Sequence, residues 1–220
     1  TGGSETLTAG SGSATFSGTG FNVQLDYCPT ITANGGGGSD TATLNDSTAA
    51  DTLYASPTAA VISGGGCIAR ANNFSTVKAV SSHGGKDTAN FSDSTGADTF
   101  DAYPTKATLF GTGFSNEADG FRYVYATSNA NAADKATFHD GSGNDSLVGS
   151  PNAAFLTDNS TYYNKASAFK TVIATASTGN DTANLQGSTG ADTLTAYPKQ
   201  VTMTGTGFSN SLLAWLAKVM

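Results

Sequence analysis

The stretch from Asp87 to Pro104 reads DTANFSDSTGADTFDAYP, and it decides how the whole chain can fold. Versions of it stand at 40–57, 134–151 and 181–198, so each copy begins 47 residues after the one before. A fixed period near this length is typical of a repeat architecture, in which each unit buries its apolar face against its neighbours. We therefore expect function on a repeated surface rather than in one unique pocket.

Composition favours short strands over helices. Only 12% of the residues are charged, while Gly, Thr, Asn and Asp, which weaken helices, are abundant. A net charge of −7, with ten Lys and Arg scattered singly, argues against nucleic acid as a partner. No run of about 18 apolar residues occurs, so we expect no membrane span.

Two ladders of large apolar residues run through all the repeats at steps of 22 to 25 residues. The first consists of Phe21, Leu44, Cys67, Phe91, Phe114, Phe138, Tyr162, Leu185 and Phe208. The second consists of Leu7, Ile31, Leu53, Val77, Phe100, Val124, Leu147, Val172 and Leu194. Around each position apolar and polar residues alternate, as they do in a half-buried strand.

This spacing predicts an all-β fold, a right-handed parallel β-helix (β-solenoid) with about 23.5 residues per coil and two coils per 47-residue repeat. A β-propeller is the alternative, because its blades approach the same length. We expect one solenoid segment of about nine coils over residues 1–220. Its repeats lie at approximately 1–39 (partial), 40–86, 87–133, 134–180 and 181–220 (partial).

Acidic turns are the strongest candidate site. Two aspartates five residues apart flank a small-residue turn in three copies: Asp46 and Asp51, Asp93 and Asp98, and Asp140 and Asp145. Such carboxylates could supply hard oxygen ligands for calcium, the one cofactor that the sequence suggests, although the fold requires none. The alternative is that they cap turns by accepting backbone N–H groups.

The segment Asp140-Gly-Ser-Gly-Asn-Asp-Ser-Leu-Val148 resembles the haemolysin-type calcium-binding repeat, Gly-Gly-x-Gly-x-Asp-x-apolar-x. Gly96-Ala-Asp-Thr-Phe100 and Gly190-Ala-Asp-Thr-Leu194 resemble its second half. The resemblance covers these turns only, and it implies calcium as their ligand.

The sequence favours a non-enzymatic protein. It contains no nucleophile motif, phosphate loop or Cys/His metal cluster, and a polysaccharide-active β-helix enzyme is the least favoured alternative. Tyrosine precedes proline at Tyr103 and Tyr197, and an exposed tyrosine row could contact surface carbohydrate.

The two cysteines, Cys28 and Cys67, leave the redox question open. A disulfide would fit a secreted protein. The predicted coil register argues against one, because it separates the two residues by about two coils, roughly 9–10 Å of axial rise.

As a whole, the chain resembles secreted bacterial β-solenoid repeat proteins of the fibre and adhesin type. That resemblance implies a structural role in an extracellular fibre, matrix or adhesin stalk, at the cell surface or outside the cell. The expected partners are further copies stacked end to end or further repeats of a longer polypeptide, of which this chain, starting at Thr1, is expected to be a piece. A calcium-stabilised extracellular binding module is the alternative.

Overall fold

The computed structural model describes residues 2–129 and 133–214, and within them the protein is built from strands without a helix. No membrane-spanning helix is therefore found in these two ranges. Each strand alternates its side chains, so that in Thr88–Ser92, for example, Ala89 and Phe91 are buried. The strands, in chain order, are β1 Thr6–Gly10, β2 Ser13–Gly18, β3 Phe21–Leu25, β4 Thr30–Asn34, β5 Thr41–Asn45, β6 Thr52–Ala55, β7 Ala59–Gly64, β8 Cys67–Asn72, β9 Thr76–Val80, β10 Thr88–Ser92, β11 Thr99–Ala102, β12 Lys106–Gly111, β13 Phe114–Asp119, β14 Tyr123–Thr127, β15 Lys135–His139, β16 Ser146–Gly149, β17 Ala153–Thr157, β18 Tyr163–Ser167, β19 Thr171–Thr175, β20 Thr182–Leu185, β21 Thr193–Tyr197, β22 Gln200–Gly205 and β23 Phe208–Leu213.

These strands form two long sheets, between which the chain winds as a β-solenoid. Sheet A has thirteen strands in the order β21-β22-β23-β19-β15-β11-β12-β13-β9-β5-β1-β2-β3, and sheet B has ten in the order β20-β16-β17-β18-β14-β10-β6-β7-β8-β4. The chain alternates between the sheets in thirteen passes, which makes about six turns. The predicted solenoid is confirmed. The propeller alternative is wrong, because both sheets run along the molecule instead of dividing into blades.

Each 47-residue repeat consists of a single strand, a three-stranded antiparallel meander and a second single strand. In the repeat that starts at Asp87 these are β10, then β11 to β13, then β14. Three passes are an odd number, so the next repeat starts in the opposite sheet, and equivalent strands lie in sheet A for β5 and β15 but in sheet B for β10 and β20. One repeat is therefore one and a half turns.

The predicted coil of 23.5 residues and the total of nine coils are wrong. Parallel neighbours lie 35 to 40 residues apart, since Thr41 pairs with Thr76 and Tyr123 pairs with Tyr163. The sheets are also mixed, because each meander adds antiparallel pairs. The apolar ladders predicted most of the buried positions correctly, although Leu194 is 59% exposed and Phe21, Cys67 and Leu185 are partly buried. Their members are divided between two sheets and do not stack on one another at each step.

The core lies between the sheets and is packed by pairing large residues with small ones. Ala42 pairs with Val77 on the neighbouring strand, and Phe100 pairs with Ala136. All four are at most 3% exposed. Alternation of large and small side chains lets adjacent strands fill one layer at the close-packed density of protein interiors.

Cys28 and Cys67 are both free and partly buried. The predicted separation of two coils is wrong, because Cys67 opens β8, the direct parallel neighbour of β4, and the N–H of Ile68 donates to the carbonyl of Pro29 at 2.8 Å. The two cysteines therefore lie on adjacent chain segments at the edge of sheet B.

Candidate functional site

The acidic turns lie where the chain crosses from one sheet to the other. The second aspartate of each turn is buried immediately before a strand: Asp51 precedes β6, Asp98 precedes β11 and Asp145 precedes β16, with exposures of 4%, 2% and 2%. The first aspartate of each turn follows β5, β10 or β15 directly. The two predicted carboxylates of each pair are thus brought to the same crossing.

A third carboxylate joins each pair from the neighbouring strand. Because β6 pairs in parallel with β10, the N–H of Asp51 donates to Asp87 Oδ1 at 2.6 Å. Asp98 donates in the same way to Asp134 at 2.8 Å, and Asp145 donates to Asp181 at 3.1 Å. These opening aspartates of the repeat were not among the predicted site residues. The constant spacing of 47 residues marks these aspartates in the sequence. Only the register of the strands shows which acidic turn each of them contacts.

In the first copy, hydrogen bonds from nearby protein groups reach all three carboxylates. Asp51 Oδ2 accepts the N–H and hydroxyl of Ser47 at 3.0 and 2.7 Å, and Asp87 Oδ2 accepts the hydroxyl of Ser81 at 2.5 Å. Asp46 accepts two backbone N–H groups and contacts the imidazole Nδ1 of His83 at 2.6 Å. This copy therefore supports the turn-capping interpretation of its aspartates.

In the second copy, one buried carboxylate oxygen, Asp98 Oδ1, has no hydrogen-bond partner among the described residues. Asp93, Asp98 and Asp134 have carboxylate oxygens within 4.8 Å of one another. Ser94 and Ser128 supply hydroxyls as in the first copy, and Asn129 donates its N–H to Asp93. Burial, together with the nearby Asp134 carboxylate, raises the pKa of Asp93 to about 6.

The third copy has lost both serine hydroxyls. Gly141 replaces the serine of the turn, and Ala176 stands at the position of Ser81 and Ser128. Tyr162 partly compensates, since its buried hydroxyl donates to Asp145 Oδ1 at 2.5 Å. Burial and this bond to Asp145 raise the pKa of Tyr162 above its ordinary value.

Three oxygens of the third copy are shielded from solvent without a hydrogen-bond partner among the described residues: Asp145 Oδ2 and both oxygens of Asp140. With Asp181 they form a second group of three carboxylates within 4.8 Å. Burial raises the pKa of Asp140, the nearby hydroxyl and N–H of Ser177 offset part of that rise, and the charges of Asp181 and Asp145 add to it. Such an arrangement can hold a divalent cation or a shared proton.

The fourth copy has only part of the pattern. Gln186 and Gly187 stand where the first acid would be, and Asp192 Oδ2 accepts the N–H of Ser188 at 2.7 Å. In residues 2–129 and 133–214, the groups that could hold a metal are the two carboxylate clusters of the second and third copies. The predicted sites at Asp46 and Asp51 are not brought into such a cluster.

The predicted tyrosines lie near the surface. Tyr103 is 40% exposed and Tyr197 is 62% exposed. Tyr103 stacks on the imidazole of His139, with ring centroids 4.0 Å apart and planes 2° apart. The stacking leaves less of this ring available to a ligand, and carbohydrate binding stays a prediction.

Comparisons with known proteins assign the chain to no family. A scan against family models and searches of curated proteins and of solved structures found no match. The function is therefore argued from the geometry of the solenoid and of its acidic turns.

Proposed function

We propose that this chain is a non-enzymatic structural solenoid that forms or extends an extracellular fibre, matrix or adhesin stalk. The observation that carries the proposal is that, within residues 2–129 and 133–214, the outermost strand of each sheet has an edge without a partner strand and apolar side chains near that edge. An uncapped solenoid end is a surface on which another solenoid unit can continue the sheets and cover the core.

At one end of the described part of the chain, the outermost strands are β21 in sheet A and β20 in sheet B. Leu194 is 59% exposed there, and it lines an open cavity of about 430 Å³ together with Leu185, Val201 and Met203. Exposed apolar groups of this kind mark interaction surfaces when they are contiguous. A further β-strand can therefore pair with the sheet edge at this end and cover these apolar side chains.

At the other end, the outermost strands are β3 and β4. Val23 and Leu25 are 46% and 38% exposed, and they line an apolar cavity with Phe16 and Ile31. Strands β3 and β21 run in the same direction, because each is separated from the parallel strands of its sheet by two antiparallel steps. A unit added at either end can thus continue a parallel ladder.

The neighbour we propose is a further copy of the repeat, in the same polypeptide or in a second copy of this chain. In the repeat pattern, a single strand in the opposite sheet follows each meander, as β14 in sheet B follows β11 to β13 in sheet A. Head-to-tail contacts of this kind do not close and so build filaments. The acidic composition and the few lysines support an extracellular setting.

Negative-stain microscopy and light scattering over a concentration series test the proposal. Sheet A, with thirteen strands about 4.8 Å apart, gives a rod about 58 Å long. We expect rods whose lengths are multiples of this value and whose mass rises with concentration. Monodisperse single particles at every concentration would contradict assembly through the ends.

A calcium-stabilised extracellular binding module is the second candidate. The buried, unpartnered carboxylate oxygens of the third acidic turn favour it. Calcium analysis of the purified protein separates it from a rod that needs no metal.

A further inference from the structure

The three equivalent acidic turns differ in how many hydrogen-bond donors the protein supplies to them. In the first copy, two serine hydroxyls and His83 meet the carboxylates. In the third copy both serines are absent, and no ion pair joins its aspartates to a basic side chain among the described residues. The loss of donors is thus concentrated in one copy.

We propose that Asp140, Asp145 and Asp181 bind one Ca²⁺ ion. Their oxygens lie within 4.8 Å of one another. Asp145 is 98% buried, being 2% exposed, and its Oδ2 has no partner. Three clustered carboxylates, of which Asp145 is buried and Asp140 and Asp181 are partly buried, are unfavourable without a counter-charge, and a divalent cation supplies both the charge and the ligand bonds.

Each aspartate has an oxygen to offer in this arrangement. Tyr162 engages Asp145 Oδ1, which leaves Oδ2, and neither oxygen of Asp140 accepts a hydrogen bond of normal geometry. Ser177 lies close enough to lower the pKa of Asp140, but its hydroxyl donates to the carbonyl of Gly141. Asp181 Oδ1 accepts the N–H of Asp145, while Ala176 cannot supply Oδ2 with the hydroxyl that Ser81 and Ser128 give its counterparts. Hydrogen bonds to the other oxygens hold two of the carboxylates in place.

The second copy does not meet the same conditions. Both oxygens of Asp93 accept the N–H of Asn129, and Asp134 accepts from Asp98 and Ser128. Its one unpartnered oxygen, Asp98 Oδ1, lies against the backbone of Gly111. We therefore assign a single ion to the chain, in the third copy.

Calcium fits this site better than magnesium. All the ligands are oxygens, and three of them are shielded from solvent. Mg²⁺ gives up its water reluctantly and keeps several waters in protein sites, whereas Ca²⁺ accepts six to eight oxygen ligands in flexible geometry. A dissociation constant on the order of 10⁻⁴ M is typical of extracellular calcium modules.

Titration calorimetry with CaCl₂ and MgCl₂ on the full chain tests the site. We expect one Ca²⁺ per chain, at least tenfold weaker binding of Mg²⁺, and a rise of several degrees in Tm with millimolar Ca²⁺. Asp140→Asn should weaken Ca²⁺ binding at least tenfold. Asp46→Asn, at the equivalent position of the first copy, should leave the affinity and the stoichiometry unchanged.

Terbium luminescence gives a second readout that does not depend on these variants. Tyr162 contacts the proposed ligand Asp145, so tyrosine excitation should sensitise bound Tb³⁺, and Tyr162→Phe should remove most of that emission. Absence of calcium binding and of a Tm shift at millimolar Ca²⁺ would overturn the site. Equal loss in Asp140→Asn and Asp46→Asn would overturn its placement, and equal affinity for Mg²⁺ would overturn the choice of ion. Asp181 directly precedes the end strand β20 and lines the end cavity, so the two proposals are separated by measuring assembly with and without chelator. Assembly without calcium binding would overturn the site alone, and calcium binding without assembly would overturn the rod alone.

Discussion

At the scale of single residues, the opening aspartate of each repeat is a structural cross-link between neighbouring strands. Asp87 is 2% exposed, and it accepts the N–H of Asp51 and the hydroxyl of Ser81. Its replacement leaves the buried N–H of Asp51 and the partly buried hydroxyl of Ser81 without their acceptor, and each buried donor left unpaired costs roughly 1–3 kcal/mol. We expect Asp87→Ala to lower the free energy of unfolding by about 2–4 kcal/mol in urea titrations.

The matched control is Asp26→Ala. Asp26 is exposed, and it accepts a weak hydrogen bond from the Gln24 amide at 3.4 Å. We expect this variant to change the free energy of unfolding by less than about 0.5 kcal/mol. Similar losses in both variants would show that the aspartate cross-link contributes no stability of its own.

Asp158 makes stability depend on pH. Burial alone would raise its pKa, but the Thr161 hydroxyl and the N–H groups of Ser160, Thr161 and Tyr162 outweigh burial and hold the pKa well below its ordinary value. The folded state therefore binds this proton less tightly than the unfolded state does. The stabilisation is present above the unfolded pKa of about 3.9 and is lost as the pH falls below it.

The measurement is urea unfolding of the protein and of Asp158→Asn at pH 5 and at pH 3. We expect the variant to be less stable at pH 5, because the amide cannot replace an ionised acceptor of several hydrogen bonds. The difference should shrink at pH 3. A difference that is the same at both values would contradict the role assigned to the ionised carboxylate.

At the scale of elements, a buried asparagine ties each meander to the turn of the preceding one. Asn116 on β13 donates through Nδ2 to the carbonyl of Ser56 at 3.0 Å, and Asn164 on β18 donates to Tyr103 at 2.9 Å. Both accepting residues precede the proline of a turn between two meander strands. The bonds cross the core, since β13 lies in sheet A and the β6–β7 turn in sheet B.

Asn116→Ala should lower the free energy of unfolding by about 1–3 kcal/mol, because the partly buried carbonyl of Ser56 loses its donor and removal of the buried Asn116 amide leaves a small cavity. The comparison is Asn22→Ala on the exposed edge strand β3, for which we expect less than about 0.5 kcal/mol. Equal effects on denaturation would argue that the cross-core bond is not a net stabiliser.

Local alternation was sufficient to predict most of the residues that face the core. Leu7, Leu44, Phe100 and Phe138 are all fully buried, as the two ladders predicted. The meanders were not predicted, although their turns carry a signal. Gly65 and Gly66 join β7 to β8 with φ of 55° and 83°, the positive values that a two-residue hairpin turn requires. If this glycine pair had been interpreted as a hairpin turn, the sequence would have predicted a three-stranded antiparallel meander here instead of one strand of a uniform coil.

The candidate site was predicted only in part for a related reason. The pairing of Asp140 with Asp145 lies within one turn, so the sequence spacing reveals it. Asp181 reaches the same site because β16 and β20 are parallel neighbours, with Ser146 opposite Thr182, 36 residues on. The spacing of 36 residues between these paired strands depends on the length of the meander between them. The apolar periodicity of the sequence gives no information about that length.

At the scale of the whole molecule, the exposed ends and the lateral surface should behave differently. Leu194 on the end strand β21 and Tyr54 on the outer face of β6 have nearly equal exposures, 59% and 60%. A charge placed at Leu194 lies on the strand edge that a neighbouring unit would cover, where burying it unpaired is costly. The same charge at Tyr54 lies on the side of the rod and stays in water.

We therefore expect Leu194→Glu to abolish concentration-dependent assembly in sedimentation velocity runs, while Tyr54→Glu assembles like the unaltered protein. Both variants should unfold within about 0.5 kcal/mol of it, because neither side chain is buried in the single rod. If Tyr54→Glu blocked assembly and Leu194→Glu did not, the contacts would run along the sides of the rods. The edges of β21 and β20 would then serve only as the place where the next repeat of a longer chain continues the two sheets.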